Sequence, residues 1–167
     1  MSKKMQTILA IDPGDVKTAY VLMDVKTYTP IEKGLIDNEE LLKKISNFKF
    51  NHLAIEMVAS YGMAVGRNIF ETCVWIGRFI EAANNKNIAY TKIYRIDEKI
   101  NICHDSRAKD SNIRQALIDR FGEIGVKKNP GFFYGFKKDI WAAFAVGTTF
   151  IDLYNEKGLP EEDYFKR

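Results

Sequence analysis

The 167-residue sequence predicts an α/β fold in which helices cover a five-stranded mixed β-sheet. Short apolar runs rich in β-branched and aromatic residues alternate with segments whose apolar residues recur at helical spacing. The first three runs are separated only by turns, which is typical of an antiparallel meander. The later runs are separated by helices, which favours parallel pairing. The predicted order is three strands, a helix, a strand, a helix, a strand and two helices.

Turn residues mark the bounds of the first elements. The opening strands are predicted over residues 7–11, 18–23 and 31–36. Pro13 and Gly14 end the first strand, and Pro30 lies in the turn before the third, since both residue types interrupt regular structure. A helix follows near Asp37, whose carboxylate we expect to cap the first turn with Glu40 as its capping-box partner.

The rest of the chain alternates strands with helices. We predict strands over residues 52–56 and 88–94, and helices over residues 69–83, 108–121 and 138–154. Gly122 marks the end of the helix over residues 108–121. The length predicts a single domain over residues 1–157, followed by a polar tail over residues 158–167.

The composition indicates an ordinary globular protein. The net charge of +3 permits a polyanionic partner without requiring one. Cys73 and Cys103 lie far apart and outside any zinc-ligand spacing, which favours a reducing cytoplasm. No apolar stretch approaches membrane-spanning length, so we expect no membrane partner.

Two predicted strands end in an acidic residue, Asp12 and Glu56. If these strands are adjacent and parallel, the carboxylates lie side by side at one sheet edge and repel unless a cation lies between them. Asp12 could instead cap the turn at Pro13 and Gly14. Asp139 could supply a further ligand from the last helix, or merely cap that helix. Ligands with oxygen alone suit Mg²⁺ or Mn²⁺, the ions of two-metal phosphoryl transfer.

Basic side chains flank these acids and could contact nucleic-acid phosphates. A solvated protein surface is the alternative for each of them. The group at the start of the 108–121 helix is the stronger candidate, because a helix N-terminus suits a phosphate. The candidates are Arg67, Arg78, Arg107, Lys109, Arg114, Lys127, Lys128, Lys137 and Lys138. An aromatic group over residues 132–136 could stack on bases or join subunits, but core packing is favoured.

Several motifs occur together in a fixed order. They are Ile11-Asp12-Pro13-Gly14, Ile55-Glu56, the stretch over residues 107–117, and Asp139-Ile140-Trp141-Ala142-Ala143. Their order and spacing resemble RuvC-like Holliday junction resolvases, particularly those carried by phages of Gram-positive bacteria. The resemblance covers residues 7–150. It implies an RNase H-like fold, a homodimer in a bacterial or phage-infected cell, and Mg²⁺-dependent paired nicking of four-way DNA junctions, with Mn²⁺ as a possible substitute.

The resemblance also assigns roles by position. Asp12, Glu56 and Asp139 would be metal-binding carboxylates. Lys109 matches a basic position near the scissile phosphate, where it could stabilise developing negative charge.

Two positions depart from the family pattern. The family's fourth acid lies one helical turn before its last, where this chain has Phe136. Three acids could suffice, Asp15 or Asp110 could substitute, or metal binding could be weaker. The aromatic wedge of bacterial RuvC aligns with Ala59, and nearby Tyr61 could replace it. Alternative functions are therefore a less selective nuclease for branched DNA or RNA, and a catalytically weak junction-binding protein.

Overall fold

The computed structural model describes residues 4–158, so the predicted tail beyond Gly158 lies outside the described residues. The strands of the main sheet are β1 (Thr7–Asp12), β2 (Lys17–Asp24), β3 (Pro30–Asp37), β4 (His52–Met57) and β5 (Ala89–Tyr94). Their order across the sheet is β3-β2-β1-β4-β5. β1, β2 and β3 pair antiparallel, whereas β4 is parallel to both β1 and β5. The predicted α/β fold with a five-stranded mixed sheet is confirmed.

The described residues also form helices and a small hairpin. The helices are α1 (Asn38–Asn47), α2 (Arg67–Asn84), α3 (Arg95–Cys103), α4 (Asp110–Phe121) and α5 (Ile140–Lys157). The hairpin consists of β6 (Gly125–Val126) and β7 (Asn129–Pro130). The sequence prediction missed α3 and the hairpin. Each helix in this part of the chain is too short or too polar to cross a bilayer.

The predicted capping box at α1 is wrong. Asp37 occupies the N-cap position, but its side chain makes no capping hydrogen bond. The polar contact is made instead by Asn38, whose buried amide accepts a hydrogen bond from Thr18 Oγ1 at 2.6 Å and donates one to the Gly14 carbonyl at 2.9 Å. These two hydrogen bonds connect the start of α1 with β2 and with the turn after β1.

The two faces of the sheet carry separate apolar cores, because alternate side chains of a strand point in opposite directions. Leu9 and Ile11 of β1 lie in the core shared with α1 and α2. Ile8 and Ala10 lie in the core beneath α5. Asp12 follows Ile8 and Ala10 in this alternation, so its side chain is on the α5 face of the sheet. The same alternation places Glu56 on that face, two residues after Ala54.

α5 packs directly on the sheet, and most of its first twelve residues are buried. At Gly147 the approach is so close that a Cβ atom would lie 2.2 Å from Met23 Sδ and 2.9 Å from Ala10 Cβ. The flexible Met23 side chain could move aside, but Ala10 Cβ is fixed to its strand, so the helix or β1 would have to shift. The small residue therefore sets the separation between α5 and strands β1 and β2.

The aromatic group before α5 packs in the core, as favoured from the sequence. Phe133 is fully buried and Phe136 is 7% exposed, whereas Tyr134 is 41% exposed. The Phe136 ring lies 5.2 Å from Trp141 and 5.5 Å from Phe144, both in edge-to-face geometry. Phe136 is therefore a core residue that anchors the chain just before α5.

Candidate active site

Asp12 and Glu56 lie side by side at the carboxyl ends of β1 and β4. The parallel register pairs Ile11 with Ile55, so the acids are the next residue of each strand. Burial, the charge of Glu56 and a hydrogen bond to it raise the pKa of Asp12 to about 9. Burial and the charge of Glu98 raise the pKa of Glu56 to about 7. The two carboxylates therefore repel each other in a partly desolvated site.

The turn after Asp12 has its own hydrogen bonds. The Gly14 amide donates to Thr18 Oγ1 at 3.3 Å. Gly14 is required there because a Cβ atom would lie 2.3 Å from the Lys17 carbonyl oxygen. The Thr18 hydroxyl thus takes the place that a turn-capping carboxylate would occupy, which disfavours the interpretation of Asp12 as a simple turn cap.

Asp139 occupies the N-cap position of α5 without capping the helix through its side chain. Only its backbone carbonyl bonds to the helix, accepting from the Ala143 amide at 3.0 Å. The side chain is exposed, and its charge contributes to the raised pKa of Asp12. The three acids named from the sequence therefore interact, and the helix-cap alternative for Asp139 loses its main support.

Glu98 of α3 is a further acid at this site, and the sequence prediction missed it. Its side chain is fully buried. Arg95 Nη1 donates to Glu98 Oε1 at 2.9 Å, while Oε2 has no hydrogen-bond donor in the described structure. Burial raises the pKa of Glu98 to about 8, although Arg95 opposes the shift, and the Glu56 and Glu98 carboxyls lie within hydrogen-bonding reach of each other.

Glu98 was missed because a charged residue carries no hydrophobic signal of burial. Ile102 and Cys103 of α3 pack against the core, but Arg95 and Glu98 are held by pairing with each other. The available signals were Asp97 and Glu98 in a first helical turn, directly after a predicted strand.

The donor chemistry of this cluster fits a hard divalent cation. Asp12, Glu56, Glu98 and Asp139 offer carboxylate oxygens, and the buried Glu98 Oε2 has no other partner. Within residues 4–158, however, no three acidic, histidine or cysteine side chains are arranged as ligands of one ion. Binding would thus require the carboxylates to converge.

A cleft beside the acids collects several of the predicted basic residues. It is lined on one side by Asp139, Lys138 and Trp141, and on the other by residues of α3 and α4, including Arg95 and Arg114. The Arg114 guanidinium lies over the Trp141 ring at 5.0 Å. The cleft therefore combines a carboxylate with cationic groups at its mouth.

The start of α4 lies close to the same acids. Asp110 pairs with Arg95, whose other amine holds Glu98. Asp110 is therefore engaged in an ion pair, and its side chain is 85% exposed, which makes it a poor replacement for the acid missing at Phe136. Lys109 precedes it as the exposed N-cap residue of α4.

The remaining candidate DNA contacts are dispersed. Arg67 is exposed at the first turn of α2, at the sheet edge that carries the acids, whereas Arg78 is eleven residues further along, about 16 Å at 1.5 Å per residue. Arg78 pairs with Glu39 at 3.3 Å and lies 4.1 Å from the Trp75 ring centre. The other exposed candidates are Arg107, Lys127, Lys128 and Lys137.

Tyr61 lies in the loop between β4 and α2. Its residue is 67% exposed, and its backbone has a left-handed φ of 48°. Ala59, which aligns with the family's wedge, is also exposed but offers no ring. Tyr61 is thus an accessible aromatic residue five positions after Glu56.

His52 belongs to the core. The ring is buried, stacks on Phe150 at 4.5 Å and shares a hydrogen bond with Thr91 Oγ1 at 2.8 Å. Burial lowers its pKa to about 4, so the ring is neutral near pH 7. It lies four residues before Glu56 in β4, about 13 Å along the strand, and supports the sheet rather than the acidic site.

A search with models of protein families finds no match, and a search of curated protein sequences finds none either. Solved structures do match. Thermus thermophilus RuvC superposes with a TM-score of 0.68 at 14% identity, covering 91% of this chain and 96% of that one. T. thermophilus RuvC in complex with a Holliday junction substrate gives 0.68 at 12% identity, covering 92% and 97%. The likeness expected from the sequence motifs is therefore confirmed for the fold, and this chain has a RuvC-like, RNase H-like fold.

Proposed function

We propose that this protein is a divalent-metal-dependent endonuclease that resolves four-way DNA junctions by paired phosphodiester cleavage. The observation that carries the proposal is the Asp12 and Glu56 pair, two desolvated carboxylates on adjacent parallel strands. Such a pair is costly to fold unless it serves a cation. Its place at the carboxyl edge of the sheet is where α/β proteins bind ligands. A solved structure of similar fold holds a Holliday junction substrate.

The acids would hold Mg²⁺, or Mn²⁺ in its place. When bound, the metal would supply activation of the attacking water and stabilisation of the leaving oxygen. Asp12, Glu56 and Asp139 are the proposed ligands, and the burial of Asp12 and Glu56 strengthens their attraction for a cation. Lys109 would contact the scissile phosphate and stabilise negative charge that develops on its oxygens.

Paired cleavage needs two active sites, which leads us to propose a homodimer. The exposed face of α2 supports this idea, because Phe70 and Val74 are 61% and 59% exposed, with the exposed Gly77 three residues beyond. Large apolar side chains clustered on a surface helix are typical of a protein interface. The basic candidates Arg67, Lys109, Arg114 and Lys138 would then approach the DNA backbone from each subunit.

The test is cleavage of a labelled four-way junction in Mg²⁺ by the full chain and by Glu56→Gln. The variant keeps the side-chain size and removes the charge, so folding is expected to persist, by circular dichroism, while paired nicks disappear. Glu32→Gln is the matched control, since Glu32 is an ion-paired strand carboxylate that contacts Lys44 and lies away from the acids. Undiminished cleavage by Glu56→Gln would refute the proposal.

Substrate panels separate the alternatives. Equal rates on junction, fork, linear duplex and RNA–DNA hybrid would favour a less selective nuclease. Junction binding without cleavage in either Mg²⁺ or Mn²⁺ would favour a binding protein. The latter has one structural argument, because Phe136 is packed in the core where the family pattern places an acid.

A further inference from the structure

Glu98 is a fully buried carboxylate with only one oxygen satisfied. Arg95 donates to Oε1, and no donor in the described part of the chain reaches Oε2. A buried acceptor left without a partner destabilises the fold, and does so more when it is charged. Such an atom therefore indicates a missing partner of positive character.

The direction of this free oxygen follows from the fold. α3 begins directly after β5, which is parallel to β4 and pairs Ile93 with Glu56. Arg95 and Glu98 thus lie at the carboxyl end of the sheet, where β4 carries Glu56. The Glu56 and Glu98 carboxyls are within hydrogen-bonding reach of each other. When both are ionised, as metal binding requires, they have no hydrogen to share. A cation between them would satisfy both.

Arg95 does not provide that cation. Its guanidinium is divided between Glu98 and Asp110, one amine to each. It therefore fixes the orientation of Glu98 through Oε1 and leaves Oε2 without a donor, while the Glu98 carboxyl contacts that of Glu56. With Asp12, Glu56, Glu98 and Asp139 ionised, the single Arg95 charge leaves the cluster strongly negative.

We propose that Glu98 is a fourth carboxylate ligand of the divalent cation at Asp12 and Glu56, and that Arg95 is the residue that positions it. The inference rests on the proposed function, since it assigns a ligand to the same metal site. It also accounts for Phe136, because the acid absent before α5 is supplied from α3. Neither Asp15 nor Asp110 is then needed.

The test is Mn²⁺ binding, measured by titration calorimetry and by the electron paramagnetic resonance signal of free Mn²⁺. Wild-type protein is compared with Glu98→Gln, Asp12→Asn and a control, Asp152→Asn. Asp152 is also a shielded carboxylate paired with an arginine, Arg120, but it lies outside the acidic cluster. Circular dichroism and denaturant unfolding in EDTA accompany each titration, so that folding is measured apart from metal affinity.

We expect Glu98→Gln to weaken Mn²⁺ binding at least about tenfold, because even groups that only support a ligand contribute about 10- to 100-fold. Asp12→Asn should weaken it at least as much, and Asp152→Asn should leave it unchanged. Metal-free stability of Glu98→Gln should equal or exceed that of the wild type, because a buried repulsion is removed. If Glu98→Gln does not fold, Glu98→Asp keeps the charge but withdraws it by one methylene and should also bind Mn²⁺ more weakly.

Three results would overturn the inference. Wild-type Mn²⁺ affinity in Glu98→Gln or Glu98→Asp, with affinity lost in Asp12→Asn, would make Glu98 a structural partner of Arg95 and leave the proposed function standing. Loss of metal-free stability in Glu98→Gln with unchanged Mn²⁺ affinity would likewise make Glu98 a structural partner of Arg95. Unchanged affinity in Asp12→Asn would remove the metal site itself, and the proposed function with it.

Discussion

Asp12 and Glu56 are each the residue that follows an isoleucine of the paired parallel strands β1 and β4, and both side chains point beneath α5. The sheet therefore places two carboxylates next to each other on the same face, and the alternation of side chains along each strand keeps both on that face. The resulting repulsion is fixed by the fold, and it should be measurable as an effect on stability.

Metal-free protein should lose stability as the pH rises from 7 to 9. The folded pKa values of Asp12, Glu56 and Glu98 are raised to about 9, 7 and 8 from ordinary values near 4. In this window the folded state holds protons that the unfolded chain has already released, so stability falls as the pH increases. For Asp12 alone the loss is about 2 kcal/mol. Denaturant unfolding in EDTA at several pH values measures it.

Controls isolate the source of that slope. Asp12→Asn should flatten it, and saturating Mg²⁺ should do so too, because a bound cation keeps the acids ionised. Asp24→Asn should not, because hydrogen bonds from Thr27 lower the pKa of Asp24 and it does not titrate near pH 8. Burial lowers the pKa of His52 in the folded state, so its titration makes stability rise with pH and cannot cause the fall. A slope that Asp12→Asn leaves intact would contradict the assignment.

Replacing Phe136 should affect stability strongly. The ring is buried against Phe133, Trp141 and Phe144, so Phe136→Ala should cost about 3–5 kcal/mol in the free energy of unfolding. Phe136→Asp should cost at least as much and yield no gain in cleavage, because a carboxylate there enters an apolar core. Tyr134→Ala is the exposed control, expected within about 0.5 kcal/mol of the wild type. A stable and more active Phe136→Asp protein would contradict this prediction.

The basic residues should differ in their contribution to DNA binding. Arg67→Ala and Lys109→Ala should each lower junction affinity and reduce the slope of log Kobs against log salt by about 0.9, the amount expected for one phosphate contact. Arg78→Ala should change the slope less, because Glu39 already neutralises that guanidinium. Filter binding across a salt series gives these slopes, and equal slopes for all four proteins would refute the ranking.

Tyr61 should contribute to junction recognition through its ring. Stacking on a base contributes about 1–3 kcal/mol, so Tyr61→Ala should weaken junction binding roughly fivefold or more. Tyr61→Phe should bind nearly as well as the wild type, because it keeps the ring. Linear duplex, where no base is unstacked, should be bound equally by all three. A Tyr61→Ala protein with undiminished junction affinity would exclude this residue as the replacement for the wedge.

The residues that the sequence revealed are those whose signal is local. An apolar run that ends in an acid identified β1 with Asp12 and β4 with Glu56, and the parallel pairing that would bring the acids together is the one that the structure has. The aromatic residues before α5 were correctly favoured as core. Each of these interpretations needed only a few consecutive residues.

Glu98 and Arg95 were missed for the opposite reason. The two side chains pair with each other inside the structure, whereas a hydrophobic pattern reveals only the apolar residues of a helix. The contact between Arg95 and Asp110 spans two helices. Such an arrangement follows from tertiary structure, and no pattern within the segment predicts it. The predicted capping box at Asp37 was wrong for a similar reason. The polar contact at the start of α1 is made by Asn38 with Thr18, which is twenty residues away in the sequence.

Gly147 links the core to the acidic site. It lies eight residues into α5 from Asp139, about 12 Å along the helix, and its missing side chain lets the helix touch β1 and β2. β1 carries Asp12 and α5 starts after Asp139, so this one contact sets the distance between two residues proposed as metal ligands. Enlarging residue 147 would therefore change the spacing of these acids from within the apolar core.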